Sequence, residues 1–246
     1  MKATPESQAK LLELQRIDTR LDRIGHHLAH LPEQGALDEV SAERIQVDGD
    51  LVRARTDSGD IARASAKAEA DVQLVRDRAA RDRALIDGGR ATPKELTGLQ
   101  HELESLARRQ TELEDDQLDV MMREEALEGM VAALAAQADD LAARVEDATR
   151  RRDEARDTFA AEAADLAARR AAVAPAVGAE VVALYDKIRA GSGGVGAAAL
   201  KGRHCDGCRL ELLGTDYQRV VDAPPDELVR CEECRRILVR GAAPGS

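Results

Sequence analysis

From Leu96 onward, a largely apolar seam recurs at alternating steps of three and four: Leu96, Leu99, Leu103, Leu106, Gln110, Leu113, Gln117, Val120, Glu124, Leu127, Val131, Leu134, Ala138, Leu141, Val145, Ala148, Arg152, Ala155, Phe159, Glu162, Leu166, Arg169 and Val173. An earlier seam runs Leu14, Ile17, Leu21, Ile24, Leu28 and Leu31, and resumes shifted by one after Pro32 as Leu37, Val40, Arg44, Val47, Leu51, Ala54, Ser58, Ile61, Ser65, Ala68, Val72, Val75 and Ala79. A strict three-four repeat sustained this long predicts a coiled-coil seam, narrower than the stripe of a helix packed on a globular core.

The seams are separated by Asp87-Gly88-Gly89-Arg90-Ala91-Thr92-Pro93-Lys94-Glu95. Gly88 or Gly89 suits the left-handed residue that closes a helix. Thr92 suits an N-cap, Pro93 the first helical turn, and Glu95 the reciprocal partner of a capping box. The chain is therefore expected to reverse at about 87–93. In a folded-back pair, facing positions sum to a constant; Val75 with Leu106, Ile61 with Val120, Val47 with Leu134 and Val40 with Leu141 all give 181. Before Pro32 the sum becomes 180, as in Leu21 with Phe159 and Leu14 with Leu166. The prediction is an antiparallel hairpin over 1–174, each arm roughly 80 residues and on the order of 120 Å long. Pro32, followed by Gly35, is expected to kink or break the first arm, and Pro175 to end the second. Small residues at Ala54, Ser58, Ser65 and Ala68 allow close approach of the arms, whereas Gln110, Gln117 and Glu124 should make the middle the loosest stretch.

Composition agrees with this helical reading. Aromatic residues are 1% of the chain (Phe159, Tyr185 and Tyr217), tryptophan is absent, and charged residues reach 34%. That mixture does not build an ordinary globular core, and its periodicity sets it apart from a disordered chain. Residues 175–196 follow as a short amphipathic helix, Ala176 to about Arg189, and a glycine-rich run, Gly191-Ser192-Gly193-Gly194-Val195-Gly196. No Gly-Lys-Ser/Thr follows that run, so it is read as a flexible connection and not a phosphate loop.

Chemistry is concentrated in 197–246, where Cys205-x-x-Cys208 and Cys231-x-x-Cys234 contain all four cysteines of the chain. Two such turns supply the sulfurs of one tetrahedral Zn²⁺ site, and four thiolates leave no open position for a catalytic water. The zinc is read as single and structural. Disulfides would need an oxidising compartment, and no apolar signal stretch follows Met1. A redox C-x-x-C would need a βαβ setting, and an iron–sulfur cluster suits this spacing less well. His204 is read as a surface or neighbouring group. Ala197–Leu200 and Arg236–Val239 suit short strands.

The hairpin, the Thr-Pro-Lys-Glu-Leu turn at 92–96, His101–Leu106, Tyr185-Asp186-Lys187-Ile188-Arg189, Cys205-Asp206-Gly207-Cys208 and Arg230-Cys231-Glu232-Glu233-Cys234-Arg235-Arg236-Ile237-Leu238 together resemble the bacterial C4-type zinc-ribbon domain family, and its actinobacterial members of unknown function most of all. Val239 departs from the tyrosine frequent there. The resemblance covers nearly the whole chain. It implies a mainly α fold, a long antiparallel coiled-coil hairpin with a small C-terminal β-containing zinc ribbon. It also implies a cytoplasmic adaptor role, since some relatives act as sigma-factor chaperones or RNA-binding regulators.

Two functions remain in view. One is a non-enzymatic adaptor or regulator that binds a protein partner such as transcription machinery. Candidate contacts are Tyr185 and the apolar Leu210, Leu212, Leu213 and Ile237, some of which must fill the ribbon core. The other is a nucleic-acid-binding regulator using Arg209, Arg230, Arg235 and Arg236. Against the second, Lys201–Ser246 holds eight Lys/Arg and eight Asp/Glu, and the whole chain carries −11. A phosphate-tracking surface needs a positive excess. His26 and His30 have the i, i+4 spacing of a metal pair but read as a solvated face, and no catalytic triad, carboxylate pair or cofactor fingerprint is present. No small-molecule substrate and no membrane segment are expected.

Overall fold

The computed structural model describes residues 1–89 and 91–241; Arg90, within the expected turn, and 242–246, within the expected ribbon, lie outside the described residues. Among the described residues five helices and four strands follow in order: α1 Pro5–Ala29, α2 Pro32–Asp87, α3 Pro93–Val177, α4 Ala179–Gly191, β1 Ala197–Lys201, β2 His204–Cys205, α5 Gly214–Asp222, β3 Val229–Arg230 and β4 Ile237–Val239. Two compact units contain them, Gly35–Thr149 and the combination of Met1–Gln34 with Arg150–Ser246.

The unit Gly35–Thr149 is an antiparallel pair of helical arms. Every seam position read from the sequence, Leu37 through Ala79 and Leu96 through Ala148, is turned away from solvent, and Val47, Leu51, Ala54, Val72, Leu106, Leu141 and Ala148 are buried. Ion pairs flank the seam and fix the antiparallel sense: Arg76 with Glu114 at 2.6 Å, Arg78 with Glu102 at 2.7 Å and Arg144 with Glu43 at 3.3 Å. At the reversal Gly89 has φ 64°. Thr92 donates through N–H and Oγ1 to Glu95 Oε2, both at 2.7 Å, and the Glu95 N–H returns to Thr92 Oγ1 at 3.4 Å. These bonds hold the Glu95 carboxyl below its ordinary range.

In the other unit, α1 runs antiparallel to the end of α3, with Ile17, Ile24 and Leu166 buried against Leu21, Phe159 and Ala163. The first arm breaks between Ala29 and Pro32, and Pro32 begins α2 where its missing N–H costs nothing. Three expectations need correction. Pro175 lies inside α3, in its last turn, and the helix runs on to Val177, where Gly178 at φ 95° diverts the chain. Leu28 is 37% exposed in the last turn of α1. After Leu166 the seam leaves strict heptad spacing, so that Arg170 and not Arg169 turns inward, drawn by ion pairs to Asp18 and Asp186.

A small sheet of order β2-β1-β4-β3 packs beside α1 and α4, with β1 parallel to β4 and the outer pairs antiparallel. Side chains alternate along a strand, so β4 serves two cores. Ile237 and Val239 join Leu11, Leu14, Val181, Tyr185 and Ile188, while Leu238 joins Cys205, Cys231, Leu212 and Val220. The ribbon therefore shares its strands with the base of the hairpin.

Candidate metal centre

Each Cys-x-x-Cys is a tight turn built on the same bonds. In the first, the Arg209 N–H donates to Cys205 O at 2.7 Å and the Cys205 N–H to Leu210 O at 3.0 Å. In the second, the Arg235 N–H donates to Cys231 O at 2.9 Å and the Cys231 N–H to Arg236 O at 3.0 Å. The residue after the second cysteine must turn left-handed to close such a loop, and Arg209 (φ 62°) and Arg235 (φ 61°) do so without being glycine. That conformation costs an L-residue about 1–2 kcal/mol, a strain the sequence reading did not anticipate.

The four sulfurs converge to within 4.8 Å of one another, with Cys205 to Cys234 at 3.8 Å and Cys208 to Cys231 at 3.9 Å. A tetrahedron with Zn–S bonds of about 2.3 Å has edges of about 3.8 Å, so the donor set fits zinc in number, chemistry and size. Cys205 and Cys231 are buried and their partners half-buried. Burial pushes the Cys205 thiol up to about 12 and raises Cys231 as well. At Cys234 burial acts in the same sense but is outweighed by hydrogen bonds from the Arg236 backbone and neighbouring groups, and its pKa falls. Zinc bound here is held by four thiolates and serves to tie the two turns together.

The expected contact residues are placed very differently from one another. Arg236 is turned inward: its Nε donates to Val195 O at 3.1 Å, one terminal nitrogen to Gly207 O at 3.1 Å and the other to Ser192 O at 2.8 Å. It thereby staples the second turn to the first and to the glycine-rich connection. A Cβ on Gly207 would lie 2.8 Å from the Arg236 side chain and 3.0 Å from Ala198 Cβ, which explains the glycine of Cys-Asp-Gly-Cys. Arg230 is exposed and donates to Arg235 O at 2.7 Å, and Arg235 pairs with Glu232 at 3.2 Å. Arg209 is exposed. Leu210 and Leu213 are exposed, whereas Leu212 and Ile237 are buried. His204 lies on the surface.

Tyr185 is no surface residue. It is fully buried, and its hydroxyl donates to Asp18 Oδ2 at 2.8 Å and lies 3.2 Å from Gln15 Oε1. Burial, then the Asp18 carboxylate, hold that hydroxyl protonated far above its ordinary range.

Sequence reading missed the buried polar side chains of α1. Gln15 Oε1 accepts from the Gly196 N–H at 2.7 Å and the Ala197 N–H at 3.2 Å, while its Nε2 donates to Gly194 O and Thr19 Oγ1, both at 2.9 Å. Asp18 accepts from Arg170 Nε at 2.7 Å, and Gln8 donates to Ala3 O at 2.9 Å and Pro225 O at 2.8 Å. The glycine-rich run is thus pinned from both sides by Gln15 and Arg236, and is not the flexible connection expected. At Gly196 an added Cβ would sit 2.7 Å from Tyr185, so glycine there permits close packing. The helix α5, between the two cysteine turns, was likewise not anticipated. Arg240 donates to five carbonyls in and beyond its last turn, Val220, Ala223, Pro224, Pro225 and Glu227, at 2.6–3.5 Å.

A family model described as a CT398-like coiled coil hairpin domain matches residues 14–193, and one described as a C4-type zinc ribbon domain matches 204–238. An uncharacterized protein of Mycobacterium tuberculosis is 36% identical over 240 residues, covering 98% of each chain. An uncharacterized protein of Mycobacterium leprae is 29% identical over 227 residues, covering 89% of this chain and 94% of the other. A solved structure from Mycobacterium smegmatis superposes with a TM-score of 0.84 at 38% identity, covering 98% of this chain and all of that one. CT398 from Chlamydia trachomatis superposes with a TM-score of 0.64 at 17% identity, over 95% and 97% of the two chains, and shares the fold. Among the described residues no helix is long and apolar enough to cross a membrane.

Proposed function

This chain belongs to the CT398-like coiled coil hairpin family with a C4-type zinc ribbon, and on that premise we propose that it is a non-enzymatic cytoplasmic adaptor whose ribbon docks a protein partner of the transcription machinery. The observation that carries this reading is the direction of the ribbon's cationic side chains. Arg236 and Arg240 are committed to backbone carbonyls, Arg235 and Arg219 to Glu232, and Arg203 to Glu211. Arg203 also lies over the ring of Tyr217 at 4.8 Å, so one face of the ribbon's single aromatic ring is occupied. Beside the exposed Arg209 and Arg230, the ribbon also leaves large apolar side chains exposed, Leu210, Leu213 and Val221. A closed tetrathiolate centre adds no catalytic position.

The test is a pair of measurements on the zinc-loaded chain. Titration with labelled single-stranded RNA and duplex DNA across a salt series should give no saturable binding at physiological salt. A photo-crosslinking residue at Leu213 in living cells should trap protein, and Leu210→Gln should abolish the adduct. Tight nucleic-acid binding that is lost in Arg209→Ala with the ribbon still metallated would overturn the adaptor reading in favour of the nucleic-acid regulator.

A further inference from the structure

The inward face of α3 is taken up by its seam, but its outward face between 118 and 136 is apolar without a neighbour. At 100° per residue, Leu118, Met122, Gly129, Ala133 and Ala136 fall within a sector of about 60°, and all are exposed, Leu118 by 58% and Met122 by 63%. Met121 and Met130 flank this strip and are also exposed, so three of the chain's four methionines lie within ten residues. Single exposed apolar residues are ordinary, but a contiguous strip on a helix that has already buried its seam marks an interaction surface.

The rim of this strip is acidic. Asp115 to Glu128 contains six acidic residues against Arg123 alone, a net of −5. Among the described residues Asp115, Asp119, Glu125 and Glu128 have no ion-pair partner, whereas the neighbouring Glu112 pairs with Arg109 and Glu114 with Arg76.

We propose that this face of α3 docks a cationic amphipathic helix of a partner protein. Leu118 and Met122 receive its apolar side chains, and the unbranched methionines adapt to their shapes. Gly129, Ala133 and Ala136 let the partner backbone approach closely, and the unpaired acids meet its lysines and arginines. The strip from 118 to 136 is roughly 27 Å long, enough for about five turns of a partner helix. Charge excludes other occupants: a second copy would bring the same acidic rim against itself, and nucleic acid or an anionic lipid surface would be repelled.

The experiment titrates the full-length, zinc-loaded chain into three labelled peptides about five turns long: an amphipathic Leu/Lys helix, its Leu/Glu counterpart and a scrambled Leu/Lys sequence. Only the first should bind saturably with one-to-one stoichiometry. The double variant L118Q/M122Q, which alters exposed side chains and should keep the wild-type circular dichroism, weakens binding by at least about tenfold. The variant D115N/D119N/E125Q flattens the salt dependence. Equal binding of the scrambled peptide, or affinity unchanged in L118Q/M122Q, would reduce the effect to unspecific charge and overturn the proposal. Self-association of the chain that disappears in L118Q/M122Q would overturn it in favour of a second copy. This surface adds to the adaptor reading without resting on the ribbon; Leu213→Gln should leave peptide binding unchanged, and failure here does not touch the ribbon test.

Discussion

Replacing Gln15 by leucine should loosen the attachment of the ribbon without disturbing the long arms. Gln15 is 8% exposed, and among the described residues its amide alone satisfies the Gly196 N–H and the Gly194 carbonyl. The substitution keeps the apolar volume but leaves both backbone groups unpaired, and an unpaired buried group costs about 1–3 kcal/mol. Gly196 is buried, while Gly194 is half-exposed and recovers some of its loss to water, so the net is about 2–3 kcal/mol. That corresponds to a roughly 30- to 150-fold larger opening constant. Hydrogen–deuterium exchange read by mass spectrometry should show this acceleration across peptides spanning 192–199, with exchange over 35–149 unchanged. An increase below about threefold across 192–199 would refute the argument, because it would mean that the glycine-rich run is held by something other than this amide.

Further outcomes follow from the same contacts. The purified chain should carry one zinc, and a chelator should unfold the sheet and α5 while most helical ellipticity at 222 nm persists, since structural zinc supplies about 10–16 kcal/mol of apparent binding energy in small modules. Arg209→Gly should relieve left-handed strain and tighten the ribbon by up to about 1 kcal/mol, read as slower zinc release to a competing chelator, whereas Arg209→Val should speed release. Arg236→Ala removes three hydrogen bonds to carbonyls and should cost about 2–4 kcal/mol, measured as a lower denaturation midpoint of the ribbon; an unchanged midpoint would show that those carbonyls are equally well served by water. A cysteine pair at Val75 and Leu106, with the four native cysteines replaced by serine, should crosslink within one chain, and crosslinks found only between chains would mean that the arms exchange partners.

Legibility in the sequence followed the number of neighbours each segment has. Where two helices face only each other, the three-four repeat is the whole of the packing, and every seam position from Leu37 to Ala79 and from Leu96 to Leu166 could be read directly. The cysteine ligands were equally legible, because their spacing is set by the metal's geometry. Legibility failed where a third layer arrives. Along α1, Gln8, Gln15 and Asp18 lie outside the seam and look like solvated positions, yet all three are buried, Gln15 and Asp18 against Tyr185 of α4 and the start of β1, Gln8 against Ala3 and Pro225. A signal was present: Leu11 and Leu12 widen the apolar stripe of α1 beyond one heptad seam, which a helix with a single neighbour does not need. Tyr185 and Arg236 were misjudged for the same reason, since an aromatic ring or a guanidinium near a binding module has no sequence mark that tells inward from outward.

The fastening of α1 to residues far along the chain sets a schedule for folding during synthesis. Leu11, Leu14, Gln15 and Asp18 leave the ribosome early, but their partners Arg170, Tyr185, Gly196 and Ile237 come near the far end. At about 5–20 residues per second, Gln15 waits roughly 10–35 s before Gly196 is even polymerised. The arms between 35 and 149 meet sooner, because α3 can zip back along α2 from the turn as it emerges. The nascent protein therefore passes through a stage with its middle folded and an apolar, partly polar first helix still uncovered, and it is at that stage that aggregation or capture by a chaperone should be most pronounced.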